Sequence, residues 1–150
     1  QSLRPESIVK HMELYMEIMF SKSELSRARR EMIAVVVSAT NECNYCQTHH
    51  GSALNHYWKD AGKVSQLKND FSDLELSAED LALCEYAKQT TLYPGKSETN
   101  DVTKPLKNVG LSDSAILDAT LVVAYFNFVN RMVLSLGVGV EKDEGKGYKY

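Results

Sequence analysis

The sequence predicts an all-α protein, a bundle of about six helices, and three observations carry the prediction. Apolar residues recur at spacings of three and four along most of the chain. The 150 residues include only three prolines, which favours long regular elements over many turns. A single run, Met32 to Val37, is rich in β-branched residues, and no second strand-like run exists to pair with it.

The first helix is predicted from Pro5, a good first-turn residue, to Phe20, with Ile8, Met12, Tyr15, Met16 and Met19 recurring on one side. The second runs from about Ser26 to Ala39. A buried strand is the alternative for its Met32–Val37 centre, and its length and charged first turn favour helix. The third is expected to begin near Asn41 as N-cap and to reach about Asp60, with Gly62 as its stop signal. The fourth opens at Ser77-Ala-Glu-Asp80, a capping box with Asp in place of Glu, and presents Leu81, Cys84, Ala87 and Thr91 before Pro94-Gly95. A short helix is placed over Asn100 to Asn108. The last is capped by Ser112, carries Leu117, Leu121, Ala124, Phe128, Met132 and Leu136 as one stripe, and closes at Gly137 and Gly139. The Gly- and Lys-rich tail from about 141 is expected to be mobile or docked on a neighbouring subunit. The whole of 1–150 reads as one domain, long enough to bury a sizeable core.

Composition narrows the function. A formal net charge of -3 provides no broad basic field for nucleic acid. Arg27, Arg29 and Arg30, flanked by Glu24 and Glu31, read as a solvated helix face. No stretch reaches the roughly eighteen apolar residues of a membrane span, since Asn127 interrupts Leu121–Val129. No cleavable leader is legible, and three cysteines do not make a secreted disulfide framework, so a cytosolic address is expected.

One segment carries chemistry: Cys43-Asn44-Tyr45-Cys46-Gln47-Thr48-His49-His50. Positions three and four apart share a helix face, so Cys43, Cys46 and His50 line one stripe just inside a helix amino terminus. Unpaired amides and the positive end of the helix dipole there favour thiolate over thiol. An imidazole can take the Cys46 proton, and a second thiol can attack an oxidised first sulfur to close a disulfide. Other readings of the pair are a structural zinc site, which lacks a fourth ligand in the sequence, and an inert pair of core cysteines. Haem attachment needs His where Gln47 stands, and a thioredoxin-like reading needs a preceding strand.

Glu31, followed after eleven residues by Cys43-x-x-Cys46-x-x-x-His50, resembles the signature of the alkylhydroperoxidase D (AhpD)-like group in the carboxymuconolactone decarboxylase superfamily. Phe126-Asn127-Phe128-Val129-Asn130-Arg131 is similar to a stretch of its "peroxidase-related" subgroup. The resemblance runs from about Leu25 to Gly137. It implies an all-α, AhpD-like homo-oligomer (dimer, trimer or hexamer) that reduces hydroperoxides with no cofactor, drawing electrons from a dithiol on a lipoyl-bearing or thioredoxin-like protein. It further implies that Cys46 attacks the peroxide, Cys43 resolves, His50 acts as base on Cys46, and Glu31 orients His50. Two positions depart from the pattern: Tyr45 stands where founding members carry His, and Glu42 where relatives often have Gly. Tyr45 can donate a hydrogen bond but cannot act as a base near neutral pH.

The remaining candidates read more plainly. His49, about 100° around the helix from His50, is expected to face solvent or a subunit interface, with His56 on the same face. His11 has no identifiable partner. Cys84 is expected to be a buried, inert small hydrophobe. Asn127, Asn130 and Arg131 read as hydrogen-bonding groups in the core or at an interface, with a place in the substrate pocket as the alternative. Alternatives to a peroxidase are a non-catalytic oligomer whose cysteine pair senses redox state or holds zinc, and a general disulfide oxidoreductase.

Overall fold

The computed structural model describes residues 3–94 and 101–140. Among them are seven α-helices and no strand: α1 (Pro5–Phe20), α2 (Arg27–Thr40), α3 (Asn44–Trp58), α4 (Ala61–Asn69), α5 (Ala78–Leu92), α6 (Lys104–Asn108) and α7 (Asp113–Ser135). The 141–150 tail, Gly95 and Asn100 lie outside the described residues.

Helix α2 is the axis of the bundle, packed against α3, α4, α5 and α7. Every residue from Arg30 to Ser38 is buried. That burial explains why a β-branched run forms a helix. Enclosing one Val or Ile contributes roughly 1.5–3 kcal/mol. The helix-propensity deficit of such a residue is at most about 0.7 kcal/mol. Packing therefore decides, and the strand alternative for Met32–Val37 is not realised.

The seventh helix, α4, was concealed by a misplaced boundary. Helix α3 stops at Trp58, where Lys59 turns left-handed at φ 53°, and Asp60 caps α4 by accepting from the Lys63 amide at 2.9 Å. Gly62 lies inside α4 and stops nothing. At the other end, Asn41 is the C-cap of α2, and Cys43 is the N-cap of α3. Ser26, Ser77 and Ser112 do cap α2, α5 and α7 through their side chains. The Asp80 carboxylate of the predicted capping box turns to Arg29 instead, at 2.7 Å.

Two predicted faces are reversed. The arginine cluster is not a solvated face. Arg30 is buried and donates to the Ile18 and Ser21 carbonyls, both at 3.1 Å, while Arg27 donates to the Met19 carbonyl at 3.2 Å. These arginines pin the end of α1 over α2, satisfying carbonyls that the helix terminus leaves open. In α7 the predicted stripe is the outer one, with Leu117 59% and Leu136 70% exposed. The inner face is Ala115, Ile116, Ala119, Val122, Val123, Phe126 and Asn130. A helix apolar on both sides gives no single stripe to read. By length and composition α7 is also apolar enough to cross a membrane, contrary to the sequence reading, though its inner face is packed into the core.

Helix α1 sits at the edge. Its bounds are those predicted, yet Met12 and Met16 are exposed and only Met19 is fully buried.

Candidate active site

The chain reaches the cysteine pair through a tight turn. The Asn41 amide closes α2 on the Val37 carbonyl, and Glu42 then adopts φ 56°, a left-handed conformation that favours glycine. The Cys43 amide returns to the Ser38 carbonyl at 2.9 Å, and the Cys43 carbonyl accepts from Gln47 at 2.9 Å, starting α3. This places Cys43 at the helix mouth and Cys46 in the first turn, with their sulfurs 2.8 Å apart. Both are free thiols and both are buried.

One turn on, His50 Nδ1 lies 2.8 Å from Glu31 Oε2, across the α2–α3 interface. An ionised carboxylate only accepts, so Nδ1 is the nitrogen that donates to Glu31, and Nε2 is the nitrogen left over for another partner. The edge of Phe126 meets the imidazole, with ring centroids 4.4 Å apart. Glu31 is wholly buried and also accepts from Arg27 Nε at 2.9 Å. Burial alone would raise the Glu31 carboxyl, but His50 and Arg27 outweigh it and hold it below its ordinary range. The Arg27 guanidinium in turn lies 3.6 Å from the Phe20 ring centroid and donates to the Tyr15 hydroxyl.

Over these groups lies a cavity of about 350 Å³. Its walls are His11, Met12, Tyr15 and Phe20 from α1, Arg27 and Glu31 from α2, Tyr45, Cys46, His49, His50 and Ala53 from α3, and Tyr125, Phe126 and Val129 from α7. Cys46 lines the cavity and Cys43 does not. The Cys46 thiol departs from the sequence expectation: it is pushed up to about 12, by burial first and by the adjacent Cys43 sulfur second. The nearby Asn130 amide and the backbone at Cys46 act in the opposite direction. Desolvation thus outweighs the helix terminus at this sulfur.

The structure therefore brings Cys43, Cys46, His50 and Glu31 together. Tyr45 and His49 join them on the cavity wall, ring to ring at 4.3 Å, and His49 is buried rather than facing solvent. The aromatic Tyr45, one turn before His49, covers that side of α3. His56 is exposed beside Tyr57. His11, unpaired in the sequence reading, meets the Tyr125 hydroxyl at 2.8 Å, a contact between residues 114 apart that no local pattern could reveal. Asn127 and Asn130 do not line the cavity. They belong to a hydrogen-bonded cluster with Ser38, Asn41 and Thr91. Among the described residues no group of three or more His, Cys, Asp or Glu side chains is placed to hold a metal ion. Cys84 packs in the hydrophobic core.

Fold and site define a class: a helical protein whose paired cysteines open one helix, backed by a His–Glu contact from the helix before it. Residues 7–59, which contain all four of those side chains, match the Carboxymuconolactone decarboxylase family. A peroxidase-related protein from Silicibacter sp. TM1040 superposes with a TM-score of 0.88 at 27% identity, over 96% of this chain and 75% of that one. An AhpD-core, peroxidase-related protein from Ralstonia eutropha JMP134 gives 0.85 at 25% identity, over 97% and 78%. The debrominase Bmp8 shares the fold at 18% identity with a TM-score of 0.81, over 94% and 74%. No curated protein matches. The family match and the peroxidase-related neighbours together support the AhpD/carboxymuconolactone decarboxylase superfamily as the group this chain is similar to.

Proposed function

We propose that the protein is a thiol-dependent peroxidase that reduces hydroperoxides through Cys46 and Cys43. The observation that carries the reading is the order of groups at the cavity: Cys46 on its wall, the Cys43 sulfur 2.8 Å from it, and a Glu31-held His50 on the same wall one helical turn along. His50 Nε2 takes the Cys46 proton as the hydroperoxide enters, because the buried thiol does not ionise by itself near neutral pH. The thiolate attacks the outer peroxide oxygen, the O–O bond breaks, and an alcohol leaves with the transferred proton. Cys46 is then a sulfenic acid. The Cys43 thiol condenses with it, releasing water and closing a disulfide at about 2.05 Å, a short movement from the present separation. An external dithiol, on a lipoyl-bearing or thioredoxin-like partner, resets the pair. The setting is cytosolic, and the protein assembles as a homo-oligomer, with the outer leucines of α7 as the face available for it.

The test is peroxide consumption by reduced protein with a dithiol reductant, for wild type, Cys46→Ser and Cys43→Ser. Turnover by wild type, none by Cys46→Ser, and a sulfenic acid trapped by dimedone in Cys43→Ser are expected. Wild-type consumption no faster than that of Cys46→Ser refutes the peroxidase reading.

A second reading rests on the aromatic cavity wall and on Bmp8, of which a cysteine-to-alanine variant is described in complex with 2,3,4-tribromopyrrole. The same dithiol could reduce a halogenated ring, and release of halide in place of peroxide consumption would select it.

A further inference from the structure

Two sets of polar groups on the cavity wall are paired across helices. Arg27, Glu31 and His50 satisfy one another. The second set is His11 on α1 and Tyr125 on α7, which meet with His11 Nε2 2.8 Å from the phenolic oxygen. Tyr125 is buried, and its ring is braced by Tyr15 and by edge-on contact with Phe126, at centroid distances of 5.9 and 5.1 Å. His11 and Tyr125 share the wall with Cys46, and Met12, Phe20, Ala53, Phe126 and Val129 add apolar surface to it.

The pair carries two protons and spends one. Burial lowers the His11 imidazole and raises the Tyr125 phenol, so near neutral pH the first has a single ring N–H and the second keeps its O–H. Their mutual hydrogen bond uses one of these donors and leaves the other. His11 Nδ1 is buried and has no hydrogen-bond partner among the described residues, so a proton there would be stranded. Orphaned buried N–H groups are rarer in native proteins than under-used acceptors. The Nε2–H form is also the usual one for a neutral imidazole side chain. The proton therefore sits on Nε2 and is donated to the phenolic oxygen. That leaves the Tyr125 O–H as the unspent donor of the pair.

We infer that Tyr125 is a specificity-determining residue of the cavity: its hydroxyl, oriented by His11, donates a hydrogen bond to an oxygen of a hydroperoxide whose remaining body is apolar. As a role in turnover this rests on the peroxidase reading. At about 350 Å³ the cavity is at the lower end of small-molecule sites, so one occupant of modest size fills it and meets Cys46 and Tyr125 together. Hydrogen peroxide has no apolar body to fill the remaining space and is not held against the hydroxyl. Apolar surroundings strengthen the bond. A site that commits a buried donor to its substrate also discriminates more sharply than apolar contact alone.

Binding is tested without chemistry by titrating Cys46→Ser protein with cumyl alcohol, which has a phenyl body and one hydroxyl oxygen, and reading Kd by ligand-observed NMR. Adding Tyr125→Phe, which keeps the ring, should raise Kd about fivefold, the worth of one hydrogen bond. Adding His11→Leu instead should raise it about twofold, because the hydroxyl remains but loses the N–H that orients it. In turnover, Tyr125→Phe should lower the ratio of kcat/KM for cumene hydroperoxide to that for hydrogen peroxide by about fivefold, whereas a merely structural role would move both substrates alike. Nitrogen chemical shifts of the labelled His11 ring should show the proton on Nε2. A parent protein that does not bind the alcohol, or a folded Tyr125→Phe variant with the parent Kd, overturns the inference. If Tyr125→Phe does not fold, an unchanged Kd in His11→Leu overturns it. Protonation at Nδ1 overturns it as well, since the phenol would then be spent on His11. Alcohol binding that depends on Tyr125 in a protein that consumes no peroxide keeps the donor and removes the peroxidase reading, so the two failures are distinct.

Discussion

Cys46 and Cys84 are both buried on helices, and burial pushes both thiols well above their ordinary range. Their surroundings differ in every other respect. Cys84, on α5, belongs to the hydrophobic core, and the nearby carboxylates of Asp80 and Glu85 raise it further. Cys46 adjoins a cavity, has a second sulfur at 2.8 Å, and shares the cavity wall with a histidine that a buried carboxylate orients. Reactivity in this fold is thus not a matter of exposure. On the proposed reading it follows from having an open side toward the cavity and partners that act on the charged form.

The comparison breaks most sharply under matched substitutions. Cys46→Ser should abolish peroxide turnover, while Cys84→Ser should keep it and lower stability by about 1–3 kcal/mol, the cost of an unpaired buried hydroxyl. Steady-state peroxide consumption and urea unfolding give the two numbers. Equal activity losses in both variants would dissolve the distinction.

Glu31→Gln should come next, with turnover reduced about 100-fold, the lower range of general-base contributions. The amide oxygen can still accept from His50 Nδ1 but no longer stabilises an imidazolium. Glu31→Ala leaves Arg27 and His50 without their shared carboxylate and should destabilise by about 3–5 kcal/mol, visible in thermal unfolding. Undiminished turnover in Glu31→Gln would confine Glu31 to a structural role.

Alkaline pH sharpens the comparison from the side of stability. Cys84 has a folded pKa raised above its ordinary value near 9, so the unfolded chain loses that proton first. Its contribution is complete below about pH 9 and is lost as pH rises above it. Unfolding free energy should therefore fall above pH 9 in wild type and fall less steeply in Cys84→Ala. Parallel slopes would show that Cys84 does not titrate differently on unfolding. The smallest effect is expected for Glu42→Gly, which relieves a left-handed non-glycine residue beside the cysteines and should raise stability by roughly 1 kcal/mol.

How legible all this was in the sequence depended on whether the signal was local. The Cys43–Cys46–His50 spacing and Glu31 eleven residues earlier are local facts, and α1 began at the proline that announced it. The misreadings came from tertiary choices. Two apolar faces compete on α7, and only contact with α2 decides between them. Arg30 reads as a surface charge until α1 folds over it. Helix α4 vanished because Gly62 looked like a terminator, although the left-handed residue was Lys59. The Asn41–Asn127–Asn130 cluster joins residues 86 and 89 positions apart, and no periodicity records it.

Arg27 has two attachments at once. It is the second partner of Glu31 at the cavity floor, and through the Met19 carbonyl, the Phe20 ring and the Tyr15 hydroxyl it grips the C-terminal half of the roof helix. The other half of that helix is held far less, since its residues up to Met12 are exposed or only half-buried. The roof is consequently a cantilever, clamped at one end by the same side chain that balances the buried carboxylate. A change in charge on the His50–Glu31 pair therefore bears on the same arginine that clamps the helix roofing the cavity.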